Sequence, residues 1–263
     1  VGVLRGPLRE AVGILSELIK ELREAGGFDI IEERVAECMR RYDEFIQRFP
    51  FNARPEAIDA LKPEDLYNPP AKDHFFYYVD YKLQYWAGLP AASDYRWRSA
   101  RENIDALRRL LKKIVDPSVR ISSKVDAEEA VEIPYWGGGD RLVVKKLVSL
   151  YNPDKVVPIL STNIMDKVVE GLGIGSLVEG ASKGMFNRGY EGLSVGEKFE
   201  VFSKVVIDIK NAIPELKDRS NVFLAKVLLK LPGVKTKPVF VTRMAKQSKP
   251  LLRPFCSLSL GMR

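Results

Sequence analysis

Apolar side chains recur at spacings of three and four along most of this chain, and that period restricts the backbone to one class. Leu8, Val12, Leu15, Leu18, Ile19 and Leu22 form one stripe, closed by Gly26-Gly27. Ile31, Val35, Met39, Tyr42, Phe45, Ile46 and Phe49 form a second over about 29–49. Asp29 stands at its start with Glu32 three residues on, the pattern of a capping box. A short helix near 55–61 and an aromatic helical block from 73 come next. The period then predicts helices over about 95–115, 162–170, 176–186, 195–212 and 218–231. A short acidic helix follows Asp126, and a helix apolar nearly all round follows the glycines at 137–139. Gly171 is placed to end the helix that begins at Thr162, and Asp218 or Ser220 to cap the last one.

Beyond Pro232 the period fails. The stretch to Arg263 holds several prolines, and only Pro238–Val241 reads as a strand, so the spacing predicts an extended arm there. The expectation is an all-α protein: a multi-helix orthogonal bundle with helix-hairpin-helix-like turns and an extended basic C-terminal arm. Its parts would be an N-terminal helical subdomain at 1–125, a glycine-turn subdomain at 126–234 and the arm at 235–263.

Composition removes several classes of function. In 263 residues there is no run of about 18 apolar side chains, so no membrane partner is expected. Two cysteines, Cys38 and Cys256, are too few for a disulfide framework or a structural zinc site. With no secretory signal pattern at the start, the expected setting is cytoplasmic. The single histidine, His74, rules out His-rich metal sites and is read as structural. Neither a GxxxxGK[ST] loop nor a GxSxG elbow is present, and no cofactor or metal is predicted.

The charge is uneven. Of 42 basic residues, ten lie from Arg219 onward, a span without one acidic side chain, whereas the chain before it is close to neutral. Concentrated basicity of this kind suits contact with a polyanion, and Lys235, Lys237, Arg243 and Lys246 are the arm residues expected to meet it. The long helix at 95–115 is basic too, but its acidic neighbours Glu102 and Asp105 predict ordinary surface pairing.

Two glycine turns precede helices in a way that suits a phosphate. Glycine admits positive φ and brings no side chain between the backbone N–H groups and an anion, and a helix start favours negative charge. The first is Gly137, Gly138 and Gly139, followed by Arg141 and Lys145 one helical turn apart. Asp140 is expected to cap that helix, placing a carboxylate where the phosphate would sit. The second holds Gly173 and Gly175, with Ser176 and Lys183 following and no acid at the helix start. For both turns, tight helix packing is the competing explanation. In the aromatic block, Tyr85 and Trp86 lie at a helix end beside a loop and are the candidates for stacking an unpaired base, although aromatics at this spacing more often form core.

From Tyr135 to Gly173 the order is glycine turn, apolar helix, then NPDKVVPILSTNIMDKVVEGLG. This block resembles the helical region N-terminal to the ATPase domain of McrB-like restriction proteins. It is similar, more distantly, to helix-hairpin-helix DNA-binding and glycosylase domains, and SNVFLAKVLLKLPG near the end echoes it. The resemblance implies DNA as partner, duplex or single-stranded, and an ATPase or nuclease subunit alongside. A glycosylase of that superfamily keeps an aspartate shortly after the Pro-containing turn. Here that stretch reads Ile159-Leu160-Ser161-Thr162-Asn163, with no carboxylate before Asp166. Asp166, with Lys145 or the adjacent Lys146 as nucleophile, is what the resemblance offers for catalysis. The expected function is a non-catalytic DNA-binding helical module of a restriction or genome-defence system. The alternatives are a divergent base-excision glycosylase and a protein-interaction scaffold.

Overall fold

The computed structural model describes residues 6–89 and 94–234. Within them the chain is all-helical, thirteen α-helices with no strand among the described residues. The arm lies outside the described residues, and with it Lys235, Lys237, Arg243, Lys246 and the Pro238–Val241 segment.

Helix α1 (Pro7–Glu24) begins with Pro7, whose missing N–H costs nothing in a first turn, and buries Ala11, Leu15, Leu18 and Ile19. It turns through Gly26, at φ 68°, into α2 (Gly27–Arg48). That start corrects the expected capping box. The helix begins before Asp29, which lies inside its first turn, and Glu32 pairs instead with Arg219. Beyond α2, Phe49 and Phe51 join Phe45, Phe75 and Tyr151 in an aromatic core.

Short helices α3 (Pro63–Leu66) and α4 (Phe75–Tyr77) lead into a π-helical turn, Tyr78–Lys82. His74 is buried and caps α4, its Nδ1 accepting the Tyr77 N–H at 3.1 Å. The helix expected over 95–115 is two, α5 (Tyr95–Glu102) and α6 (Ile104–Val115). Asn103 separates them, because its side-chain Nδ2 donates to the Ser99 carbonyl at 2.8 Å while its backbone leaves helical geometry. A five-residue helix that the period does not signal, α7 (Ile121–Val125), comes next and packs mainly against the helix over 195–211 and then against the one over 142–151.

Helix α8 (Leu142–Tyr151) is the apolar-all-round segment, and every residue from Val143 to Tyr151 is buried. A helix without a polar face has no side to give to water, so it occupies the interior. Around it run α9 (Thr162–Gly171), α10 (Gly175–Phe186), α11 (Val195–Asn211), α12 (Pro214–Lys217) and α13 (Asn221–Leu228). Ser194 and Glu197 form a reciprocal capping box at the start of α11, and Ser220, not Asp218, caps α13. One cluster of buried apolar residues runs from Ala11 to Val234 and crosses position 125.

Candidate nucleic-acid interface

The two glycine turns have different structural roles. At the first, Gly137 is pressed against the chain: a Cβ there would lie 2.7 Å from the Val131 Cα. Arg141, itself at φ 49°, folds inward, and its Nη1 donates to the carbonyls of Val125 (3.1 Å) and Ala127 (2.9 Å). Lys145 is wholly buried. Its Nζ donates to the Leu160 carbonyl at 2.8 Å and to Thr162 Oγ1 at 3.2 Å. Burial pushes this ammonium down to about 8, against the opposing pull of Asp140, Asp126 and Asp166.

The expectation that Arg141 and Lys145 face a phosphate is therefore corrected. Both point into the protein because α8 is central and its neighbours supply carbonyl acceptors. Asp140 is corrected as well. It caps not the helix beside it but α9, its Oδ2 accepting the Thr162 N–H at 3.2 Å. Gly138 and Gly139 stay exposed, but the helix they precede presents no cation to solvent there. The first turn is a clamp between α8 and α9.

The second turn faces outward. After Gly171, Leu172 and Ile174 are fully buried, whereas Gly173, Gly175 and Ser176 are exposed. The Gly173 N–H bonds to the Glu170 carbonyl and the Ile174 N–H to that of Val169, both at 3.0 Å, the paired closure of a Schellman motif. Gly173 is at φ 64°, which explains why glycine stands there. Neither argument covers Gly175. It has ordinary φ, and a Cβ on it would meet open space. No side chain caps α10, and no acid lies in its first turn. The Leu177 and Val178 N–H groups bond back to the Ile174 carbonyl, which leaves those of Gly175 and Ser176 for solvent or an anion. Lys183, two turns along, is exposed and pairs with Glu179 at 3.0 Å.

The same turn adjoins the start of the arm. A Cβ at Gly171 would lie 3.8 Å from the Leu231 side chain and 3.9 Å from the Pro232 carbonyl oxygen. Three residues after Leu231 the chain reaches Val234, and Lys235 follows in sequence. Elsewhere on the surface several cations of the α5–α6 region meet carboxylates, but only Arg108 with Asp105 at helical spacing. Arg101 pairs with Glu64, Arg109 with Glu132, Lys112 with Asp59 and Lys113 with Glu129, all distant in sequence, and Glu102 pairs with none of them.

The stacking candidates separate. Trp86 is buried, stacked on Tyr42 with centroids 4.5 Å apart, and its Nε1 donates to Ser149 Oγ at 3.0 Å. Its assignment as a stacking surface is corrected, because it is core. Tyr85 is half-buried and forms part of a groove wall. Asp166 is exposed beside Tyr190 and Lys198, its carboxyl raised by partial burial. It makes no ion pair with Lys145, whose Nζ is turned to the Leu160 carbonyl. Among the described residues no group of three or more His, Cys, Asp or Glu is placed to hold a metal ion. No helix among them is long and apolar enough to cross a membrane.

Sequence reasoning missed two surface hollows. One, of about 440 Å³, has Phe49, Phe51 and His74 at its base and Arg48, Glu64 and Asp73 on its rim. The other, of about 290 Å³, lies along α2 beside Tyr85. Neither carries a local motif, since each is assembled from segments distant in sequence. Comparison of the chain with family models, curated proteins and solved structures gives no match.

Proposed function

We propose that this chain belongs to the class of helical modules that hold DNA through backbone phosphates. More particularly, the proposal is a non-catalytic DNA-binding module serving a restriction or genome-defence system, with an ATPase or nuclease subunit as its working partner. The observation that carries the first part is Gly175. Its glycine is explained by neither φ nor packing, and it opens an uncapped, acid-free helix start to solvent. The arm sequence, basic and without an acid, continues from the segment packed against the same turn. The assignment to genome defence rests on the resemblance of Tyr135–Gly173 alone.

Binding is favoured over glycosylase chemistry by the state of Lys145. An amine with no exposure, bonded to a carbonyl and a hydroxyl, cannot reach a sugar carbon without leaving its site.

The test is a titration of duplex and single-stranded DNA at two salt concentrations. Affinity should fall steeply with salt, with a slope of roughly −0.9 per phosphate contacted on duplex. Removing residues 235–263 should flatten that slope. An affinity unaffected by salt, or a slope unchanged by the truncation, overturns the proposal. Binding to no nucleic acid at physiological salt would leave the protein-interaction scaffold as the better reading.

A further inference from the structure

The smaller hollow has a definite chemistry. Cys38 and Tyr85 form its inner wall, and Arg34, Arg41 and Lys82 stand around it. Two of these three cations are already paired, Arg41 with Glu37 and Lys82 with Glu44 at 3.9 Å. Glu37 is bracketed by Arg40 and by Arg41, the latter at 2.8 Å, which leaves Glu33 as the hollow's one unpaired carboxylate. Arg34 has no carboxylate within 4 Å among the described residues and is exposed.

Two further lysines lie toward the interior. Lys226 Nζ sits 4.6 Å from the centroid of the Tyr85 ring and 3.4 Å from the Trp86 carbonyl oxygen. Lys146 is wholly buried, and its Nζ has no hydrogen-bond partner. It is Lys226 that the ring contact places behind the groove wall. Arg34, which has no carboxylate partner, and Lys226, behind the ring, thus flank an aromatic face whose other cations are paired, against the single unpaired acid Glu33.

The local backbone is unusual as well. Lys82 closes the π-helical turn, and Tyr85 follows three residues later. A π-turn is rare and recurs at binding sites because it displaces side chains from the helical register. Here the displacement leaves Tyr85 half-open while Leu83 and Trp86 on either side are buried.

We propose that this groove takes one nucleoside phosphate, with its base against Tyr85 and its phosphate against Arg34 and Lys82. About 290 Å³ is at the small end of ligand sites and suits a single nucleotide. Stacking on an aromatic ring with a cation for the phosphate is how unpaired nucleotides are held without regard to sequence. The nucleotide has two possible sources, an unpaired position in a DNA strand or a free mononucleotide. The first rests on the DNA-binding proposal. It is geometrically open to it, because only four residues of chain lie between Lys226, over Tyr85, and Leu231, against Gly171. That span is at most about 18 Å even if fully extended.

The experiment uses the full chain and three probes: a duplex with one bulged 2-aminopurine, the same duplex fully paired, and free deoxyadenosine monophosphate. The wild type should bind the bulged duplex about tenfold more tightly than the paired one, with a change in 2-aminopurine emission. Tyr85→Phe should keep that preference. Tyr85→Leu and, independently, the exposed Arg34→Gln should remove it while leaving paired-duplex affinity unchanged. If neither duplex binds, the DNA-binding proposal fails and the mononucleotide titration decides the groove. Binding weakened at least fivefold by Arg34→Gln then supports a free-nucleotide site. Equal affinity for both duplexes together with no mononucleotide binding overturns the inference, as does a preference that both variants retain.

Discussion

Lys145 Nζ lies 2.8 Å from the carbonyl oxygen of Leu160, and no part of the lysine reaches solvent. That bond ties the middle of the central helix to the segment entering α9, with Asp140 fastening the same helix start through the Thr162 N–H. Lys145→Met should destabilise the fold by about 2–4 kcal/mol, because it leaves a buried carbonyl and hydroxyl without their donor. Chemical denaturation measures this. A change below about 0.5 kcal/mol would mean that the bond has no structural weight.

Lys146, the next residue, has the opposite character. It is equally buried but unpartnered, and burial pushes its ammonium from the ordinary 10.5 down to about 7. A lysine depressed in the folded state carries its full cost below the folded value, and the cost fades as pH rises toward the unfolded one. Lys146→Met should therefore stabilise the protein most at pH 6 to 7, on the order of a few kcal/mol. That advantage should shrink steadily toward pH 10. A pH-independent difference between variant and wild type would refute the assignment.

The two exposed glycines of the α9–α10 turn should behave differently. Gly173→Ala should cost about 1–2 kcal/mol, since its φ of 64° strains any residue with a Cβ. Gly175→Glu should leave stability within about 0.5 kcal/mol, because its Cβ points into open space. The same variant should weaken DNA binding tenfold or more by placing a carboxylate at the helix start. Thermal melts and a DNA titration on both variants separate a structural glycine from a functional one.

Gly196 is a third kind. A Cβ there would collide with the Ser122 carbonyl oxygen and come within 2.6 Å of Asp126 Oδ2, on the short helix α7 and its end. Gly196→Ala should separate α7 from α11 and cost about 3 kcal/mol or more, as overpacking against backbone does. A neutral Gly196→Ala in a urea titration would contradict the close approach.

Much of the helical architecture is legible in the chain, because an amphipathic period is a local property. The stripe from Leu8 to Leu22 lies close to where α1 runs, and Leu15, Leu18 and Ile19 are the residues it buries. Failures occur where a side chain competes with the period, as when Asn103 bonds back to Ser99 and divides one expected helix. They occur as well where a helix is too short to show a period, as in α7. At the candidate interface, the second glycine turn was visible because φ preference and exposure both follow from local residues. Tyr85 and Trp86, adjacent and alike on paper, were separated only by what packs on them: Tyr42 and Ser149 cover Trp86, and Lys226 leaves one side of Tyr85 to the groove.

The sequence by itself determined that this protein is helical, that α8 has no polar face, and that its basicity gathers toward the C-terminus. Tertiary structure alone decided the direction of each charge on and beside α8. Arg141 and Lys145 look like phosphate ligands when read along the chain. They turn inward because the carbonyls of Val125, Ala127 and Leu160, brought in from fourteen to sixteen residues away, are nearer and drier partners than solvent. Asp140 likewise bonds to Thr162, on the helix beyond the one it precedes. A period along one helix reports which residues are buried; it carries no information about which distant backbone atoms wait for them.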